Sequence, residues 1–148
     1  MRRKDREISA EEAVRFLTEA RDGVLAMIGR DGEPYAIPVN HVFHDGCIVI
    51  HCATAGEKIE NLQKDSRVCY TAYHASADPS APLTTKYRSV VAFGRAELID
   101  DCVVKRELLV GLTEALAPGA EFTCSEEDVR HTGVIRISID RLTGKANL

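Results

Sequence analysis

The chain has no tryptophan, only 5% aromatic residues and no long uninterrupted apolar run. A membrane-spanning helix needs about 20 consecutive, mainly apolar residues, so the sequence predicts no membrane span. The basic start, MRRK, is followed by acidic residues rather than by an apolar stretch. Because secretory and organelle-targeting segments have a different pattern, we expect a cytoplasmic protein.

The cysteines lack the spacings that disulfide frameworks and zinc ribbons require. There are five, an odd number, and no two of them make a C-x-x-C pair. Two histidines and two cysteines do lie close together in the sequence, namely His41, His44, Cys47 and Cys52. Alternation along β-strands would spread them over both faces of a hairpin, so we predict no metal site.

Length and charge narrow the class of protein further. The 148 residues, 45% of them hydrophobic and 28% charged, suffice for one globular domain with its own core. We therefore predict a single domain spanning residues 1–148. The net charge of −4 gives no sign of a basic surface, so we predict no nucleic-acid partner.

Local patterns predict a sheet of antiparallel strands with helices beside it. Capping boxes begin helices at Ser9 and Thr54, another helix begins at Asp100 or Asp101, and a short helix begins at Ser125. A loop rich in small residues and proline is predicted at 75–85. Strands are predicted at residues 24–28, 33–43, 47–52, 67–73, 88–98 and 134–139. Consecutive strands joined by turns favour an α+β fold, with the sheet closed as a small barrel.

Asp45-Gly46 sets the register of the central hairpin, because these residues favour a two-residue type I′ turn. His44 should then pair with Cys47, and Val42 with Val49. Continuing the ladder places Asn40 opposite His51. The face that carries Ile48 and Ile50 is the predicted core face.

The hairpin leads directly into a helix start that contains Gly56 and Lys58. A lysine in the first turn opposes the helix dipole unless an anion is bound there. Free amides at a helix N-terminus and a lysine together suit a phosphate group. The neighbouring strand face offers a surface for a flat ring, so this region predicts a site for a phosphorylated aromatic cofactor.

Five segments carry a resemblance to a known family: YAIPVN at 35–40, IHCATAGEK at 50–58, Leu62 with Arg67-Val68, YRSVVAFG at 87–94 and LTGK at 142–145. Their order resembles the flavin-binding split barrel of the pyridoxamine phosphate oxidase superfamily, and within it the nitroimidazole-resistance (nitroimidazole reductase) branch. The resemblance implies an α+β, mostly β fold: a six-stranded antiparallel split β-barrel with flanking helices. It also implies a homodimer with flavin mononucleotide (FMN) in the two intersubunit clefts, to which the apolar residues on both hairpin faces add support.

By this resemblance the cofactor contacts fall into groups. The predicted neighbours of the flavin ring are Pro38, Val39 and Asn40, with His51, Cys52 and Ala53 at the end of the hairpin. The predicted phosphate contacts are Gly56 and Lys58. The predicted contacts on a later strand are Tyr87, Ser89 and Val90, and near the C-terminus Lys145.

The resemblance implies an oxidoreductase. A reduced nicotinamide or another small electron donor would reduce the flavin, and a small acceptor such as a nitroaromatic would be reduced in turn. His51 is the predicted proton donor, because an imidazole exchanges protons near neutral pH. Glu57-Lys58 and Tyr87-Arg88 replace the residue pairs of the oxidase proper, so vitamin B6 oxidation is not predicted. Two alternatives stay open: a non-catalytic flavin-binding or redox-sensing module, and a barrel that holds haem or a deazaflavin.

Overall fold

The computed structural model describes residues 2–77 and 85–148. Its strands are β1 Asp22–Ile28, β2 Pro34–Asn40, β3 Val42–His44, β4 Cys47–Cys52, β5 Arg67–Ala77, β6 Thr85–Leu98 and β7 Gly133–Asn147. Its α-helices are α1 Ala10–Glu19, α2 Glu57–Lys64, α3 Cys102–Leu116 and α4 Glu126–His131. Single-turn 3₁₀ helices lie at Lys4–Arg6 and Arg30–Gly32. Among these described helices, none is long and apolar enough to cross a membrane.

The strands form one antiparallel sheet that must curl on itself. Its order is β2-β1-β5-β6-β7-β4-β3, which puts β2 and β3 at opposite edges. Only His41 separates these two strands in the chain. Six strand spacings would hold the edges roughly 29 Å apart in a flat sheet, too far for one residue to bridge. The sheet therefore closes into the predicted mostly β split barrel, although with seven strands in the described residues rather than six.

The seventh strand arises because the strand predicted over residues 33–43 breaks at His41. This side chain is completely buried, and its main-chain N–H donates to the carbonyl of Arg21. Its ring contacts the carbonyl of Leu17 and the hydroxyl of Tyr70. These contacts divide the segment into β2, which pairs with β1, and β3, which pairs with β4. Pro38 lies on an edge strand, where a residue without an N–H group is tolerated.

The hairpin turn has the predicted geometry. Asp45 and Gly46 both have positive φ angles, 48° and 76°, as a type I′ turn requires. His44 pairs with Cys47 and Val42 with Val49, which confirms the predicted register within β3 and β4. The core-face prediction is also confirmed, because Ile48 and Ile50 are fully buried.

Two hydrophobic clusters hold the domain together. The first fills the barrel and includes Leu25, Ile48, Tyr70 and Ile137, closed by Leu17 of α1. The second lies on the other face of β4, where α3 and α4 pack against Val49 and Val134. Burial on both faces explains the unbroken apolar run Ile48, Val49 and Ile50 in β4.

Helix starts show which local signals determine the structure. Ser9 forms the predicted capping box, Ser125 forms a capping box at the predicted start of α4, and Asp101 caps α3 through two main-chain amides. The capping box predicted at Thr54 is wrong. Gly56 is the N-cap of α2 instead, and it provides no side-chain hydrogen bond.

Two further features of the β5–β6–β7 region bear on the predictions. The register between β6 and β7 shifts at Gly94, where the strand pair forms a bulge. A Cβ atom there would lie 2.0 Å from the carbonyl oxygen of Ser138, so only glycine fits. The predicted loop at 75–85 is wrong at its ends, because 75–77 continue β5 and Thr85 begins β6. The rest of that predicted loop, residues 78–84, lies outside the described residues.

Candidate functional site

The predicted phosphate contacts lie where β4 leads into α2, a region that we call the β4–α2 junction (residues 51–58). Gly56 has a φ of +121°, a conformation that side chains disfavour. The first helical hydrogen bonds are donated by the amides of Ile59 and Glu60 to the carbonyl of Gly56. The amides of Glu57 and Lys58 precede these bonds, and no side chain caps them. They are available to an anion, which the helix dipole also favours.

Two lysines add positive charge at this junction. Lys58 is half-buried and makes no ion pair within the part of the chain that the structure describes. Lys105 of α3 is also half-buried, and it lines a cavity of about 110 Å³ beside α2 together with Thr54 and Gln63. Burial raises the pKa of the neighbouring Cys52 thiol, whereas the charges of Lys58 and Lys105 partly oppose that rise. The arrangement of donors and charge is suited to a phosphate group.

Lys105 was not among the sequence-predicted site residues. It lies near the start of an amphipathic helix, where a lysine is ordinarily a solvated surface residue. Only the packing of α3 beside β4 and α2 reveals its position. No local sequence signal could have identified it.

A second group of predicted residues shares the outer face of the barrel sheet. Register places Pro38, Val24, Thr71, Val91 and Thr143 in one cross-strand row. Directly paired residues point to the same face of a sheet, and so do residues two apart along a strand. The outer sheet face therefore carries five predicted contacts: Pro38, Asn40, Tyr87, Ser89 and Lys145. The hydroxyl of Tyr87 also lies 3.5 Å from Nη1 of Arg6.

The other two predicted contacts on these strands point inward. Val90 is fully buried in the barrel core, and Val39 packs against the same core. Both alternate along their strands with residues of the outer sheet face. Their side chains therefore stabilise the barrel, and only their main chains border its surface.

The predicted pairing of Asn40 with His51 is wrong. Asn40 pairs with Asp22 of β1, and its Nδ2 donates to Asp22 Oδ1 over 2.6 Å. His51 pairs with Val134 of β7. The strand break at His41 separates the two residues, because it sends β2 and β3 to opposite sheet edges.

The side chain of His51 points to a different side of the sheet from that of Cys52, the next residue of the β4–α2 junction. It follows Val49 on the β4 face that α3 and α4 cover, and it lines a cavity of about 280 Å³ with residues of those helices. Cys52 points to the opposite side, where it packs against the barrel core. The structure therefore brings His51 next to α3 and α4 rather than next to the outer sheet face.

The part of the outer sheet face that carries Ser89 and Lys145 lies far from the β4–α2 junction within one chain. Gly133 pairs with Cys52 at the start of β7, and Lys145, twelve residues later, pairs with Ser89. Twelve residues of extended strand span roughly 40 Å. One copy of the chain therefore does not collect all predicted contacts in a single pocket.

Solved structures share this fold. The FAD and heme binding protein of Mycobacterium smegmatis is 26% identical, with a TM-score of 0.80 over 94% of this chain and 71% of that one. A FAD-binding protein of Mesorhizobium loti is 25% identical, with a TM-score of 0.71 over 97% and 98% of the two chains. A proposed 5-nitroimidazole antibiotic resistance protein of Bacteroides thetaiotaomicron is 23% identical, with a TM-score of 0.79 over 94% and 85%. This last likeness shows the fold alone.

Sequence comparison gives the family. A search of curated protein sequences found no match. A family model described as pyridoxamine 5'-phosphate oxidase matches residues 9–146, nearly the whole chain. This match confirms the resemblance to the pyridoxamine phosphate oxidase superfamily drawn from the five sequence segments, and the chain belongs to the pyridoxamine 5'-phosphate oxidase family.

Proposed function

We propose that this chain is a flavoprotein that holds FMN non-covalently and acts as an oxidoreductase. Family membership supports flavin binding, and so do the two relatives at 25–26% identity, which are described as FAD-binding and as FAD- and heme-binding. The observation that carries the proposal is the uncapped N-terminus of α2 with Lys58 in its first turn. A single terminal phosphate, as in FMN, matches this one group of donors.

The residues of the β4–α2 junction hold the phosphate in this proposal. The amides of Glu57 and Lys58 donate to its oxygens, and Nζ of Lys58 adds a charge-assisted hydrogen bond. Lys105 lies close enough to affect the same thiol as Lys58, so its charge adds to the local positive potential. The positive φ of Gly56 leaves the approach to these amides free of a side chain.

We further propose a homodimer in which each cofactor lies between two copies of the chain. The β4–α2 junction of one copy would hold the phosphate, and the part of the outer sheet face that carries Ser89 and Lys145 in the other copy would border the ring. The large separation of these two surfaces supports this arrangement. So does the composition of the outer sheet face, where Tyr73 is 68% exposed and Phe93 is 40% exposed.

The apolar hairpin faces, by contrast, no longer support a dimer. Val42 and Val49, on the face away from the barrel, pack against α3 of the same chain. Intramolecular packing therefore accounts for their apolar character. The case for a homodimer rests on the exposed apolar residues of the outer sheet face and on the separation of the two surfaces.

The bound flavin would supply the electron transfer, and the protein would supply binding and orientation. Pro38 and Asn40 border the ring, and Ser89 and Lys145 of the partner copy offer hydrogen-bond donors to it. His51 remains the proposed proton donor, acting through its imidazole on the acceptor. The proposed acceptor is a small nitroaromatic, and the proposed donor is a reduced nicotinamide bound transiently.

An absorbance spectrum of the purified protein tests the cofactor, followed by chromatography of the chromophore that denaturation releases. A released chromophore that elutes as FMN supports the proposal. A chromophore that elutes as FAD would show that the cofactor is FAD rather than FMN. A Soret band in the absorbance spectrum would indicate haem. A colourless protein that takes up no added flavin contradicts flavin binding. Steady-state reduction of nitroaromatics by reduced nicotinamides then separates an enzyme from a redox-sensing module.

Replacement of Lys58 tests the phosphate site. We expect Lys58→Ala to weaken FMN binding about 10- to 100-fold, the effect of losing one charge-assisted hydrogen bond. Lys64→Ala is the matched control, because Lys64 lies in the last turn of the same helix and is exposed. Flavin fluorescence quenching gives both dissociation constants. Equal affinities in the two variants would contradict the assignment of the phosphate to α2.

A further inference from the structure

A cavity lies between β4, α3 and α4, and we call it the α3–α4 cavity. Of the predicted cofactor contacts in the β4–α2 junction and on the outer sheet face, only His51 lines it. Its volume is about 280 Å³. The side chains that matter for its chemistry are Leu109, Leu112, Leu116, Phe122, Asp128 and His51. The three leucines come from α3, and Phe122 comes from the connection between α3 and α4.

The cavity is large enough for an organic ring and has fixed walls. An apolar cavity of about 150 Å³ can hold benzene, so 280 Å³ gives room for two fused rings. The connection that forms one wall is anchored, because Cys124 is buried and its carbonyl accepts a hydrogen bond from Arg106 Nη1 over 2.9 Å. Phe122 remains 39% exposed at the rim, so the apolar lining is accessible to a molecule from solvent.

Polar groups at one edge restrict the kind of ligand. Ser125 donates to Oδ2 of Asp128 through both its amide and its hydroxyl, and these bonds lower the pKa of that carboxyl. A carboxylate at the edge disfavours anions and favours hydrogen-bond donors. His51 lies on the same cavity lining and offers an imidazole nitrogen. The apolar walls in turn favour a ring without a formal charge.

We propose that the α3–α4 cavity binds a neutral aromatic compound of one or two rings that carries a hydrogen-bond donor. The ring lies between the leucines of α3 and Phe122, and its donor points toward His51 and Asp128. This binding requires no flavin and therefore stands independently of the proposed cofactor. The site differs from the β4–α2 junction, whose lysines select for an anion.

Indole is a suitable probe, because it is neutral, has two fused rings and carries one N–H group. It is titrated into the protein as purified, with affinity from calorimetry and location from methyl shifts of Leu109, Leu112 and Leu116. Ala117→Phe should fill the cavity mouth and weaken binding at least tenfold. Ala120→Phe is the matched control: the same change in the same exposed segment, at a residue that does not line the cavity. Thermal unfolding of both variants verifies that they fold.

A second pair of measurements tests the polar edge. His51→Leu should weaken indole binding about 3- to 10-fold, the effect of losing one hydrogen bond, and should leave binding of naphthalene unchanged. Equal losses for the two compounds would overturn the role of His51. The cavity proposal itself is overturned if indole does not bind. Equal indole affinities of folded Ala117→Phe and Ala120→Phe, or methyl shifts confined to the barrel core, would overturn it as well.

Discussion

His41 separates β2 from β3, and hydrogen bonds of its buried side chain hold it inside the barrel. Its Nε2 lies 2.9 Å from the carbonyl oxygen of Leu17, and its Nδ1 lies 2.5 Å from the hydroxyl of Tyr70. Because a carbonyl can only accept, Nε2 carries the proton and Nδ1 accepts from the Tyr70 hydroxyl. Both side chains are fully buried. Loss of either partner would leave a buried nitrogen without a hydrogen bond.

We predict that Tyr70→Phe destabilises the protein by about 1–3 kcal/mol, the cost of one unpaired buried polar group. For a domain of this length each kcal/mol lowers the melting temperature by about 2–4 °C. Tyr35→Phe is the matched control. Tyr35 is half-buried, and its hydroxyl makes no hydrogen bond among the residues described. Its loss should change the free energy of unfolding by less than about 0.5 kcal/mol.

The same contact predicts a pH dependence. Burial lowers the pKa of His41 below its ordinary value of 6.5. Below that pH the unfolded chain binds more protons than the folded chain, so the free energy of unfolding falls with acidification. At pH 5.5 the loss is at most about 1.4 kcal/mol, since one pH unit corresponds to that amount. His41→Gln keeps an amide donor and a carbonyl acceptor but cannot titrate, so this loss should disappear.

Urea unfolding at pH 7.5 and pH 5.5 measures both effects for the wild type and the three variants. Asp5 and Asp65 have pKa values lowered to about 2. Their contributions to stability are lost mainly below pH 5, outside this window. The reasoning is refuted if Tyr70→Phe and Tyr35→Phe have the same stability. A pH dependence that is unchanged in His41→Gln would equally refute the assignment to His41.

Two glycine substitutions should act in opposite directions on the free energy of unfolding by urea. Gly94→Ala would place a Cβ 2.0 Å from the carbonyl oxygen of Ser138, so we expect a loss of about 1–3 kcal/mol from overpacking; an unchanged stability would contradict the described bulge. Gly111→Ala lies within α3 and meets no atom within 4 Å, so we expect a gain of about 0.5–1 kcal/mol. A loss at Gly111 would show that the space beside α3 is filled.

The parts of the fold that the sequence predicted well depend on short-range interactions. Asp45-Gly46 determines its own turn and the register of the adjoining residues, because both positions need positive φ angles. The capping boxes at Ser9 and Ser125 likewise involve atoms only three residues apart. Such signals remain readable in the sequence, because no distant part of the chain has to be known.

The end of the hairpin could not be predicted in the same way. Apolar alternation continues through residues 33–43 and indicates one unbroken strand. The break at His41 depends on Leu17 and Tyr70, which lie 24 and 29 residues away in the sequence. No local pattern shows that these groups meet. The predicted neighbour relation between Asn40 and His51 failed for this reason, although the strand over residues 47–52 was correctly predicted.

Long-range packing also determines which surface is left exposed for a partner chain, and the local sequence does not show this. The spacing of Leu108, Leu112 and Leu116 predicts an apolar stripe on α3, but it does not say which surface the stripe covers. In the structure α3 covers Val49 and the outer side of the hairpin. The apolar residues that remain exposed in the described strands include Tyr73 and Phe93, both on the outer sheet face. In the proposed homodimer, the second copy meets this face rather than the hairpin, and Ser89 and Lys145 reach the partner's proposed cofactor.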